Sequence, residues 1–273
     1  MTETVKLTDH EFVALWDRYT GRYLPEPLTF LGRIPLQEDY ERHARDIWER
    51  LGGDSFLAKV IRTIEVPDVY LVVQGWYDKE MDNPDKRIRI HAVRAGASAF
   101  LITQLPGETI FHSGGFVITE CQPRGLAAEV VAALPEVGAG QRGPIPIVVE
   151  TTRAADSYWQ SRSLVEDDAD ATEERSKEFL DAPAARTGSI TIHQGKSKFG
   201  RRGILERVLI WRDMPDDGRY VIPVGDNPVA VGVSAKRFVL MIDEVIDEIV
   251  KRLETHWETG DSEPLMYRHR TFG

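Results

Sequence analysis

Gly195, Lys196 and Ser197 come nearest of any residues in the chain to a nucleotide-binding pattern. A phosphate-cradling loop needs another glycine five positions earlier, so that backbone N–H groups can converge on the anion, and Ile190 stands there instead. Seven histidines are scattered along the sequence without an H-E-x-x-H or H-x-H spacing, the arrangements that put two imidazoles on one metal ion. His91, His112 and His193 fall on candidate strands and read as structural or surface side chains. Ser113 follows His112 and precedes Gly114 and Gly115, but no G-x-S-x-G elbow surrounds it. Cys121, the single cysteine, excludes a disulfide within the chain and a cysteine-built zinc site, and reads as a small apolar strand residue. No catalytic, cofactor or metal site is expected.

The sharpest local anomaly is residues 194–203. Lys196, Lys198, Arg201 and Arg202 surround Phe199 on a glycine-flexed hairpin connection, within an acidic protein. A solvated loop accounts for such a cluster; so does docking of an acidic or aromatic-bearing protein partner. Glu166, Asp167, Asp168 and Asp170 read as a solubilising separator between helices, and the polar connection 78–86 has the same plain reading.

The 273 residues are 42% hydrophobic, enough for a sizeable core, and carry a net charge of −10. That balance argues against nucleic acid or an anionic membrane as the general partner, since both need a cationic footprint. No apolar run approaches the ~18 residues of a membrane span, and the N-terminal residues lack a basic region followed by an apolar one. A cytosolic location is expected.

Thr8 with Glu11 three residues later forms a capping-box pattern, so a helix should start there, show Phe12, Leu15, Trp16 and Tyr19 on one face and end at Gly21. Prolines 25, 27 and 35 make residues 23–35 an extended crossing. Helices are predicted over 36–51 and 56–64, then strands over 69–77, 87–94, 99–105 and 110–120, with a bulge or break at Gly114 and Gly115, and a helix over 124–134. After a glycine- and proline-rich stretch at 138–146 the order recurs. It comprises a short strand at 147–150, a cap at Thr151 with Trp159 placed as Trp16 is, a helix over 171–180, and strands over 188–193, 204–212, 219–224 and 229–233. Asp216, Asp217 and Gly218 form a hairpin turn, and a helix capped by Ser234 carries an apolar stripe from Phe238 to Trp257. The expected fold is α+β: a broad, largely antiparallel sheet with two helical clusters and quasi-two-fold related halves. The halves are placed at about 4–137 and 147–258, with 138–146 as linker and 259–273 as a polar tail.

With that element order, three stretches resemble the EspG family, the cytosolic chaperones of actinobacterial type VII (ESX) secretion systems. They are LTDHEFVALWDRY near the start, GSITIH from Gly188, and above all VLIWRDMPDDGRYVIPV. The resemblance covers roughly residues 5–257 and implies no enzymatic activity. It also implies recognition of the PPE-like subunit of a PE–PPE heterodimer, kept soluble for delivery to the secretion machinery. Carried over by position, the sheet would contribute strand 110–120, with Ile110, Phe111, His112, Phe116 and Ile118. The loop 78–86 would contribute Asp78, Lys79 and Lys86, and the helices around 157–162 and Phe179 would complete the surface. The cationic group Lys196, Lys198, Phe199, Arg201 and Arg202 joins this set as a steering patch. Two further readings stand beside it: a small-molecule enzyme or binding protein using a cleft between the halves, and a structural adaptor for a different protein.

Overall fold

The computed structural model of the chain describes residues 3–148, 166–197 and 203–255. Its elements follow in the order β1 (Thr4–Leu7), α1 (Asp9–Thr20), α2 (Gln37–Leu51), α3 (Ser55–Glu65), β2 (Val69–Tyr77), β3 (Arg87–Ala95), β4 (Ser98–Pro106), β5 (Ser113–Cys121) and α4 (Leu126–Ala132). Then come β6 (Ile145–Pro146), α5 (Glu166–Asp181), β7 (Arg186–Gln194), β8 (Glu206–Met214), β9 (Gly218–Pro223), β10 (Val229–Gly232) and α6 (Ala235–Glu254).

Local chemistry sets most of these boundaries. The Thr8 hydroxyl accepts from the Glu11 N–H while the Glu11 carboxylate accepts from the Thr8 N–H, and Gly21 closes α1 in the left-handed region at φ 60°. Asp54 caps α3 and Ser234 caps α6. Helix α5 includes more than predicted: its described part runs from Glu166, so the backbone of the acidic run 166–170 is helical. Strand β5 begins later than predicted. The Thr109 side chain and carbonyl accept from the N–H groups of Phe111 and His112, which winds residues 109–112 into a turn and leaves Ser113 as the first strand residue. His112 therefore lies off the strand.

The ten strands form one sheet in the order β1-β5-β4-β3-β2-β7-β8-β9-β10-β6. Every neighbouring pair is antiparallel. The order is the same read from either edge: short first strand, last strand, then inward to a central strand, with β2 and β7 meeting in the middle. Residues 138–146, expected as a linker, lie along the second half. Ala139 bridges Arg219, and the N–H groups of Gln141 and Arg142 reach Asp217 Oδ1 at 2.7 Å and Tyr220 Oη at 2.8 Å.

One face of the sheet is covered by α4 and α6 over a continuous core that runs from Leu101 through Leu71 and Ile192 to Trp211. On the other face two separate cores form. Helices α1, α2 and α3 cover β3, β4 and β5 through Phe12, Leu15, Phe100 and Phe116, while Phe179 of α5 packs with Tyr220, Ile222 and Met214. Between these two clusters the central strands carry no helix among the described residues.

Candidate partner-docking face

The uncovered floor is built by cross-strand rows of side chains that share one face. Because residues paired directly across antiparallel strands point the same way, the register places Trp76 beside Arg87 and Thr187, Gln74 beside Arg89 and Ser189, Val72 beside His91 and Thr191, and Tyr70 beside Val93 and His193. Strand β8 extends the rows with Ile210, Val208 and Glu206, while Arg212 and Val93 end their rows buried beneath the flanking helical clusters. Gln74 is exposed, and Trp76, Arg87, Arg89, Ser189, Thr191, Val208 and Ile210 are half-buried, a floor part apolar and part hydrogen-bonding.

The floor is electrically divided. Near the β2–β3 connection, the Arg87 guanidinium lies 5.8 Å from the centre of the Trp76 ring, and Arg89 has its pKa lowered by burial and by the neighbouring Arg87. At the opposite end Tyr70 stacks on His193 at 4.5 Å and on His91 at 5.7 Å. Here the Glu206 carboxylate is 3.2 Å from His193 Nδ1. Burial pushes the pKa of His91 down to about 4, against the opposing hydrogen bond to the Glu26 carbonyl, and burial also lowers that of His193. Both imidazoles are neutral near pH 7. Beside this end, α1 and the crossing after it wall an apolar groove of about 880 Å³, lined by Trp16, Leu28, Phe30 and the exposed Tyr23, Leu31 and Phe111.

The predicted site residues divide by location. Asp78, Lys79 and Lys86 lie on the β2–β3 connection at the arginine end of the floor, Lys79 exposed and the other two half-buried. Lys86 stacks on Tyr77, its Nζ 4.8 Å from the ring centre. Ile110, Phe111 and His112 occupy the turn before β5; Phe111 is 62% exposed and reaches the apolar groove. Phe116 and Ile118 require correction. Strand β5 lies beneath α1, the Phe116 ring is 4.6 Å from that of Phe12, and Phe116 and Ile118 are fully buried, so these two side chains belong to the core rather than to an exposed surface. Phe179 is likewise buried against Tyr220. Lys196 is exposed and holds Asp68 at 2.6 Å. Lys198, Phe199, Arg201, Arg202 and the 157–162 helix lie outside the described residues.

Sequence reasoning passed over the floor itself. Its signal was present in two alternating strands, R-I-R-I-H from Arg87 and S-I-T-I-H from Ser189, whose polar members all fall on one face. The hairpin WRDMPDDGRY is structural throughout. Trp211 is buried in the core under α6, the Arg212 guanidinium donates to the carbonyls of Leu180 and Ala182 at the end of α5, and Arg219 pairs with Asp213 at 2.7 Å. Tyr220 donates to Asp217 Oδ2 at 2.9 Å.

The sequence profile of the EspG family matches residues 8–234. Comparison with curated proteins gives no match. Among solved structures, the Mycobacterium tuberculosis type VII secretion system chaperone EspG5, determined in complex with a PE25–PPE41 dimer, superposes with a TM-score of 0.54 at 11% identity, over 90% of this chain and 96% of that one. At that identity the likeness is one of fold.

Proposed function

The chain belongs to the EspG family, and from that membership we propose that it is a cytosolic, non-enzymatic chaperone of type VII secretion that binds the PPE-like subunit of a PE–PPE-like heterodimer and keeps it soluble for export. The observation that carries the reading is the sheet floor between two helical clusters, free of helices among the described residues, with Gln74 exposed and Trp76, Val208 and Ile210 half-buried, and an apolar groove next to its histidine end. A partner's apolar tip would be shielded there, while charges at the two ends of the floor set its orientation. Nothing in the reading needs ATP or a metal. Use of an inter-half cleft by a small-molecule enzyme is not favoured, because it leaves the family resemblance and the open floor without a common purpose.

Co-expression with PE–PPE-like pairs encoded near the gene should yield a ternary complex on size-exclusion chromatography. Gln74→Arg, which adds length and charge at an exposed position in the middle of the floor, should weaken that complex about tenfold or more while leaving the melting temperature unchanged. Full-strength binding by the folded variant would exclude the floor as the docking surface. Failure of well-folded pairs to bind the unaltered chain would count against the chaperone reading as a whole.

A further inference from the structure

A pocket of about 540 Å³ opens at the histidine end of the floor, between strands β2, β3, β7 and β8 and the crossing that follows α1. Among the described residues, its wall includes Tyr70, His91 and His193 and three carboxylates, Glu26, Glu65 and Glu206, against one cation, Arg22. Within it, His91 is only 3% exposed, and its Nε2 is buried with no hydrogen-bond partner. A buried polar atom left unpaired costs free energy that a suitable ligand group removes.

The tautomers fix what that group must be. His91 Nδ1 is 2.7 Å from the Glu26 carbonyl oxygen, which can only accept, so Nδ1 carries the hydrogen. His193 Nδ1 faces the Glu206 carboxylate at 3.2 Å, again an acceptor. In neutral imidazoles, each Nε2 is then a bare acceptor. Acceptors on the histidines, an excess of carboxylates among the described lining residues and the flat Tyr70–His193 stack, with ring planes 12° apart, all favour a planar or compact cation bearing several N–H groups.

We propose that this pocket receives a cationic side chain, arginine above all, from the docked partner, and so selects partners and fixes their orientation on the floor. The arginine end of the same floor, Arg87 and Arg89, disfavours that side chain in the reversed orientation. The inference rests on the docking reading above, so its test has one arm that does not need the partner. In the first arm, the protein is titrated with N-acetyl-arginine methylamide and, separately, with the norleucine analogue, while the imidazole nitrogens are followed by long-range proton–nitrogen NMR. The arginine probe should shift the Nε2 signals of His91 and His193 and the norleucine probe should not. In the second arm, Glu26→Gln combined with Glu206→Gln keeps an acceptor at each position and removes the charge; it should weaken a bound PE–PPE-like pair about tenfold, with an unaltered fold. Imidazole signals that ignore the arginine probe, or a pair that binds this double variant as tightly as the unaltered chain, overturn the pocket and leave docking on the floor intact. Responsive imidazoles in a chain that binds no pair count against the docking reading alone.

Discussion

His91 carries its charge state in its contacts. It is held between strand neighbours with its Nδ1–H committed to the Glu26 carbonyl, and burial lowers its pKa from 6.5 to about 4. Between those values the unfolded chain binds the proton that the folded chain refuses. Stability contributed at His91 is therefore constant above pH 6.5, falls as the pH drops from 6.5 towards 4, and is constant again below, a loss on the order of 3 kcal/mol across the window. His193, also lowered by burial, acts in the same direction. Urea denaturation at pH 7, 5.5 and 4.5 should show this decline, and His91→Gln should flatten it; an unchanged slope would assign the acid sensitivity to other groups. At this scale the sequence placed His91 on a strand as a structural or surface side chain, but the Glu26 carbonyl that settles its tautomer lies 65 residues away in the chain, a separation no local pattern reports.

At the scale of elements, the sheet is carried from one half to the other by one strand pair whose closeness depends on glycine. Gly75 of β2 lies opposite Gly188 of β7, and Trp211 of β8 lies opposite Gly188 in turn. The buried indole occupies the space above both glycines: a Cβ at Gly75 would stand 2.7 Å from Trp211 Cζ2, and one at Gly188 would overlap the same ring and the Gln74 carbonyl. Gly188→Ala should cost roughly 1–3 kcal/mol through overpacking, seen as a melting temperature lower by several degrees. In a Trp211→Leu background the added methyl should cost less, since the ring it strikes is gone; strictly additive losses would place the conflict elsewhere. The sequence read all three strands here correctly. It gave no reason for the two glycines, because the residue that demands them enters from a third strand.

Across the whole molecule, the sheet is continuous through β2 and β7, and the core under α4 and α6 joins residues of both halves, with Leu71, Val73 and Ile90 packed in the same cluster as Trp211, Phe238 and Ile246. Thermal unfolding should accordingly be one transition, with calorimetric and van't Hoff enthalpies in agreement; two resolved transitions would mean that the halves melt independently. The order of the longer elements, the caps at Thr8 and Ser234, the hairpin at Asp216 and the repeated strand pattern were determined by sequence, because each depends on neighbours within a few residues; the short strand expected at 147–150 instead lies at Ile145–Pro146, and β1 was not foreseen. Which stretch of sheet stays free of helices was not. Alternation along a strand defines two faces but does not say which one a helix will cover. Strand β5, apolar and attractive as a surface, is covered by α1, whereas β2 and β7 keep one face free of helices among the described residues because the helical clusters pack to either side of them. That choice is made by packing between segments distant in the chain, and it is decided only when the sheet has assembled.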